Sequence, residues 1–177
     1  MQPMPESWVA ADGTVVTIRL IGASDLALEQ EFVNGLSAPT SYQRLMSARR
    51  PTLEELKHFT DIDYERELAL IATTPIQGGE RQVGVARYVM ESSPGYAEFA
   101  IVLSDDWQGR GLGTKLLESL VVAAKSNSVR RLVGTTFSMN SGMLRLGRKL
   151  GFKLAADPSS ATITNLTLDL AEWAPQE

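Results

Sequence analysis

A chain of 177 residues that is 44% hydrophobic is long enough to bury a sizeable core in one α/β domain, and an excess of 21 acidic over 17 basic residues argues against a nucleic-acid partner. The absence of cysteine and the single histidine, His58, exclude disulfides, thiolate nucleophiles and a Cys/His metal cage, so no metal is expected. The opening MQPMPESW lacks a basic stretch followed by an apolar run, and no segment approaches the roughly 18 apolar residues of a membrane span, so the sequence reads as cytoplasmic with no membrane partner.

Residues 1–13, with Pro3, Pro5 and Gly13, read as an irregular arm, and 14–177 as a single domain. A first strand is expected over 14–20, then a helix capped by Ser24 that carries Leu26, Leu28, Phe32 and Leu36. After Pro51, Thr52 with Glu55 three residues on is a capping-box pattern, and Leu53, Leu56 and Phe59 form the apolar face of a short helix. Strands over 67–73, 82–90 and 96–103, separated by QGGE and ESSPG, suggest an antiparallel meander. Leu112, Leu116, Leu117, Leu120, Val121 and Ala124 recur at helical spacing. A strand over 131–137, a helix with Met143, Leu146 and Leu150 stopped by Gly151, and strands over 152–156 and 162–170 complete the chain.

In AIVLSDDWQGRGLGTKLLESL, Gly109, Gly111 and Gly113 lie where a strand turns into a helix. Backbone N–H groups at a helix start hold anions, and glycine lets a phosphate approach the main chain. A Walker loop would end in Gly-Lys-Ser/Thr, but the order here is Gly113-Thr114-Lys115. A dinucleotide fingerprint needs G-x-G-x-x-G and an acid after the next strand, whereas this loop reads G-x-G-x-G and leads to Gly134-Thr-Thr-Phe. The bland alternative is a glycine-rich helix start with no ligand.

Gln108-x-x-Gly111-x-Gly113, after a strand ending at Leu103, resembles the acyl-CoA pyrophosphate motif of the GNAT superfamily of N-acyltransferases. Asn140 in SMNSGMLRLGRKLGF resembles the asparagine that opens that superfamily's next helix, with Lys149-Leu150-Gly151-Phe152 at the usual distance. SYQRLM at 41–46, LEEL, TDIDYERELALIA at 60–72 and AEFAIVLSDDWQGRGLG are similar to the acetyltransferase domain of bacterial Pat-type protein lysine acetyltransferases. Members of that group often carry a fused cyclic-nucleotide-binding or acyl-CoA-synthetase-like region. None is read in this sequence, so regulation by one is not implied.

The resemblance implies an α/β (α+β) fold with a mixed, mostly antiparallel sheet of about seven strands flanked by about four helices, and strands splayed near Leu103 and Phe137. It implies acetyl-CoA (acyl-CoA) as co-substrate, no metal, and an amine acceptor such as a lysine on an acyl-CoA synthetase. By position, the main chain of Gln108, Gly109, Arg110, Gly111, Leu112, Gly113 and Thr114 would hold the pyrophosphate. Val102 and Leu103 would pair with the pantetheine like another strand. Asn140 would bond the pantetheine near the thioester, or serve only as a helix cap.

A lysine ammonium, with a reference pKa of roughly 10.4, must lose a proton before it attacks a thioester. Glu98 is the only charged residue of a strand fit for burial on both faces, where desolvation would raise its pKa toward that of a useful base. The resemblance agrees, since many of these enzymes place a glutamate on this strand. The alternatives are a solvated strand-end charge or a partner for Arg87. The superfamily's usual acid, a tyrosine before K-L-G-F, is replaced by Gly147, leaving Ser138, water or no dedicated acid. Trp107 either packs the helix start or shields the pantetheine. Asp61 and Asp63 either receive a basic acceptor or form a solvated face. Three functions compete on this reading: a protein lysine acetyltransferase, an acetyltransferase for a small amine, and a non-catalytic acyl-CoA sensor.

Overall fold

The computed structural model of the protein describes residues 4–45 and 50–175. The first three residues of the arm and Met46, the last of SYQRLM, lie outside them. Among these residues eight strands form one sheet: β1 (Glu6–Val9), β2 (Val15–Leu20), β3 (Glu67–Ile76), β4 (Gly79–Met90), β5 (Tyr96–Leu103), β6 (Arg131–Phe137), β7 (Lys153–Asp157) and β8 (Ser160–Asp169). Their spatial order is β1-β2-β3-β4-β5-β6-β8-β7. Every neighbouring pair is antiparallel except β5 and β6, which run parallel. The helices are α1 (Leu26–Gly35), α2 (Ala38–Leu45), α3 (Leu53–Thr60), α4 (Leu112–Ser126) and α5 (Ser141–Lys149). The mixed, mostly antiparallel sheet is the one expected, with one strand and one helix more than the sequence reading held.

The extra strand corrects the reading of an irregular arm. Glu6–Val9 pairs with β2 from Glu6↔Ile18 to Val9↔Val15. The turn between them is closed by Asp12, whose carboxylate accepts the Thr14 N–H at 3.0 Å, and by Gly13 at φ 85°. Asp-Gly between apolar runs is a hairpin signal. The extra helix, α2, begins at Ser37, whose hydroxyl accepts the Thr40 N–H at 3.3 Å, with Pro39 in the first turn where its missing N–H costs nothing.

The capping box forms as expected: Thr52 accepts from the Glu55 N–H at 3.2 Å and the Glu55 carboxylate accepts from the Thr52 N–H at 2.7 Å. The Ser24 cap does not form. Residues Ala23–Asp25 make a 3-10 turn, and the buried Asp25 carboxylate takes the Gly22 N–H at 2.8 Å and both arms of Arg19. A carboxylate with a guanidinium partner is a stronger acceptor than a hydroxyl, and it wins the turn.

Two cores sit on the two faces of the sheet. On one, the α4 stripe of Leu112, Leu116, Leu117 and Leu120 is fully buried against residues that include Leu70, Ala86, Ala97 and Leu132. Each such leucine contributes about 1.5–3 kcal/mol through burial. On the other, Phe32, Val33 and Leu36 of the α1 region and Leu56 of α3 cover Ile71, Val85 and Val102. No helix among the described residues is long and apolar enough to cross a membrane.

β5 and β6 stay together for three residue pairs only, ending at Glu98↔Val133. Beyond that point β6 remains with β8 as far as Phe137↔Ile163, while β5 continues along β4 to Leu103. The expected splay is therefore present. At the branch point the Phe99 ring lies directly over Gly134: a Cβ on Gly134 would stand 2.7 Å from a ring carbon. Phe99 is held there by Phe152, with ring centroids 4.9 Å apart. Gly134→Ala must push a buried ring out of place, and a destabilisation of about 1–3 kcal/mol is expected in chemical denaturation. A variant as stable as the parent chain would show that the branch point relaxes without strain.

Candidate functional site

The splay opens into a cavity of about 670 Å³. Glu98, Ala100, Val102 and Leu103 line it from β5, and Gln108, Gly109, Gly111, Gly113 and Thr114 from the loop that starts α4. Asn140, Met143, Arg145 and Lys149 close it from the α5 side, and Thr40, Gln43, Phe59 and Arg87 from the opposite direction.

The loop has the shape an anion needs. Gly109 at φ 72° and Gly111 at φ 89° both occupy left-handed backbone, and no atom lies within 4 Å of where a Gly109 Cβ would stand. The first intrahelical bond of α4 runs from the Lys115 N–H to the Gly111 carbonyl, so the N–H groups of Leu112, Gly113 and Thr114 precede the ladder. Gly113 packs between Leu103 and Leu146, which stand 3.4 and 3.5 Å from its Cβ position, an ordinary contact distance. These features suit the pyrophosphate of an acyl-CoA, and the widening between β5 and β6 suits its pantetheine.

Several side chains fix the loop from behind. The Gln108 amide donates to the Leu103 carbonyl and to the Thr40 hydroxyl, each at 3.3 Å. The Asp105 carboxylate accepts from the Ser37 hydroxyl at 2.6 Å, the Thr40 hydroxyl at 2.7 Å and the Ser37 N–H at 3.0 Å, clamping the start of α2 to the loop. Partial burial pushes the Asp105 carboxyl up, but these donors outweigh it and hold it below its ordinary value. Because the folded-state value is lowered, the clamp is complete at neutral pH and weakens as pH falls through that value. Arg81 pairs with Asp106 at 2.9 Å.

Not all the residues expected at the site face it. Leu112 sends its side chain into the core, leaving only its main chain to the loop. Arg110 turns away to lie 4.0 Å over the Trp107 ring and to pair with Asp12. Trp107 is 4% exposed and packs the helix start. Asn140 caps α5, accepting the Met143 N–H at 3.2 Å and donating to the Thr136 hydroxyl at 3.1 Å, while also lining the cavity. Ser138 shares a hydrogen bond with Thr164 at 2.9 Å and does not line the cavity. Asp63 accepts the Glu65 N–H at 3.0 Å in the turn before β3, and neither it nor Asp61 reaches the cavity. No cluster of three metal-ligating side chains occurs among the described residues.

The expectation that Glu98 is buried is corrected. The helices of the second core cover β5 at Val102 but stop short of its beginning. Glu98 is therefore exposed, beside its β4 partner Val89, which is 44% exposed. Glu98 is the last β5 residue paired with β6, and it borders both the main cavity and an open depression of about 360 Å³ shared with Glu91, Thr135, Asn165 and Thr167. Arg87 projects into the main cavity with its guanidinium 4.7 Å over the Phe59 ring and donating to the Phe59 carbonyl at 3.0 Å. Sequence reading did not place Thr40, Gln43, Phe59, Arg145 or Lys149 at the site. The first two belong to the missed helix, and Arg145 and Lys149, spaced i and i+4 beside Leu146, carry a helical-face signal.

A sheet split beside a glycine loop that opens a helix suits an acyl-CoA-dependent acyltransferase. The comparisons agree: residues 38–152 match the model of the Acetyltransferase (GNAT) family, and the chain belongs to that family. It is 33% identical over 162 residues to an acetyltransferase of Pseudomonas aeruginosa, covering 89% of this chain and 86% of that one. It is 28% identical to acetyltransferase Pat of Mycolicibacterium smegmatis, over 80% of this chain but only 42% of that longer protein. The crystal structure of the GNAT domain of S. lividans Pat has the same fold, with a TM-score of 0.85 at 23% identity, covering 96% of this chain and 99% of that one. The chain is thus an acetyl-CoA-dependent acetyltransferase. Replacing Gly111 by aspartate imposes a strained left-handed residue and a negative charge where the pyrophosphate is expected. Gly111→Asp should weaken acetyl-CoA binding by roughly a hundredfold in calorimetry. Unchanged affinity in a folded variant would remove the loop from the ligand.

Proposed function

We propose that this acetyltransferase modifies a lysine side chain on a protein, with Glu98 as general base. The observation that carries the reading is the position of Glu98 at the branch of the sheet: it borders both the cavity that suits the pantetheine and the open depression on the uncovered face. An ammonium entering from that face meets the carboxylate first. Glu98 takes its proton, the freed amine attacks the thioester carbonyl, the carbon–sulfur bond breaks to release the CoA thiolate, and the second nitrogen proton passes to that sulfur or to water as the amide forms. Its exposed setting means that position, not desolvation, qualifies Glu98 for this role.

Position 147 lies buried against β8, where a Cβ would stand 2.7 Å from a Leu166 methyl, so α5 brings no hydroxyl from this slot to the leaving sulfur. The thiolate departs without a dedicated acid, or with water. The open depression beside Glu98 favours a side chain carried on a larger body, in keeping with the Pat-type resemblance.

A second reading, a small amine that also bears a carboxylate, has one observation in its favour: Arg87 lines the same cavity as Glu98. Acetylation of pooled proteins and pooled amino acids, read by mass shift, separates the two. Modified protein lysines support the first, and acetylation confined to amino acids overturns it.

Glu98→Gln is nearly isosteric and leaves the loop untouched, so acetyl-CoA affinity should persist while transfer slows by roughly a hundredfold to ten-thousandfold. Because alkaline solution supplies more free amine, the deficit should shrink as pH rises toward the lysine pKa. Equal rates in variant and parent at saturating acceptor would make Glu98 a structural residue.

A further inference from the structure

CoA presents two anionic centres, the pyrophosphate and a phosphate on the ribose 3′ oxygen, and the glycine loop can satisfy only the first with its main chain. Five basic side chains lie around the loop and on α5: Arg110, Lys115, Arg145, Arg148 and Lys149. Two of them are already engaged away from the cavity. Arg110 is held between the Trp107 ring and Asp12, and Lys115 pairs with Glu6, which also accepts from the Ser119 hydroxyl at 3.1 Å. Both carboxylates come from the N-terminal hairpin, whose Trp8 ring lies 3.6 Å from the Gly111 Cβ position. The hairpin therefore cancels the charge of the two cations nearest the loop in sequence, and neither lines the cavity.

Arg145 and Lys149 differ in each respect. They stand one helical turn apart on the same face of α5, both line the cavity, and neither is ion-paired among the described residues. Leu146, beside Arg145, is the residue against which Gly113 of the loop packs, so this face of α5 borders the first turn of α4. Arg148, the remaining cation of α5, is rotated off that face and does not line the cavity. A phosphate leaving the loop toward α5 thus meets two uncompensated cations, one of them with the forked geometry that suits phosphate oxygens.

We propose that Arg145 and Lys149 form the subsite for the 3′-phosphate of CoA, and that the acidic hairpin directs this phosphate to α5 by neutralising Arg110 and Lys115. The inference rests on acyl-CoA as co-substrate. The test is calorimetry of CoA and of 3′-dephospho-CoA against the full chain, Arg145→Gln/Lys149→Gln, Arg145→Lys and Arg110→Gln. The parent chain should bind CoA about tenfold or more tighter than dephospho-CoA, the gain expected from charge-assisted bonds to one phosphate. In the double variant the ratio should fall to about one while dephospho-CoA affinity holds, which also shows that the loop and fold are intact. Arg145→Lys should keep most of the ratio, and Arg110→Gln all of it.

A ratio that survives in the double variant, or that disappears in Arg110→Gln, overturns the subsite. So does a parent chain that binds the two ligands equally. If the parent chain binds neither, the co-substrate itself is wrong, a failure distinct from the others.

Discussion

The site depends on the place where β6 gives up its bonds to β5. A parallel pair that zipped on to Leu103 would satisfy the main chain of both strands and leave no room for a ligand. β6 can depart without losing its structure because its other edge stays bonded to β8 as far as Phe137↔Ile163. Just past the last shared pair the Phe99 ring, backed by Phe152, takes the space that a side chain at 134 would need. β5 keeps an edge whose polar groups are available to a strand-like guest.

The same branch explains where the anion loop sits. Parallel strands require a crossover, and α4 supplies it, running back from the end of β5 to the start of β6. Its N-terminus is therefore carried to the open end of the fork by topology alone. Four buried leucines hold the helix down on the sheet, so the loop ahead of it has a fixed base. The Asp105 clamp and the Gln108 amide then tie that loop to α2, and Tyr42 of α2 stacks on Phe137 of β6 with ring centroids 5.1 Å apart. α2 thus spans from one arm of the fork to the other.

Much of this was legible in the sequence, and the misses have physical causes. Alternating glycines after an apolar strand marked the loop, since few other residues tolerate its torsions, and the α4 periodicity was strong because the helix is buried along a full stripe. Thr52 and Glu55 announced a cap that depends on neighbours only. Glu98 is legible as a residue, but its surroundings are not. Alternation along a strand says which residues share a face, yet not where the covering helices end. The β1 hairpin is faint in the sequence despite its Asp12-Gly13 turn, because four residues between prolines and a glycine carry little periodicity. α2 is faint for a related reason: Ser37 and Pro39 signal a helix start, but the apolar spacing that follows is too short to confirm one. Ser24 loses its turn to Asp25 through Arg19, six residues away, a partner that no local pattern announces.

Two glycines at the site show that one residue type can answer two different demands. Gly134 has an ordinary backbone and no space; Gly109 has space on every side and a backbone torsion of the opposite sign to that of other residues. Mutational tolerance at the two positions should consequently follow separate rules. At 134 side-chain volume decides, and every addition is resisted by an aromatic ring. At 109 handedness decides, so asparagine, which enters left-handed backbone at small cost, is admitted ahead of the smaller alanine and far ahead of valine.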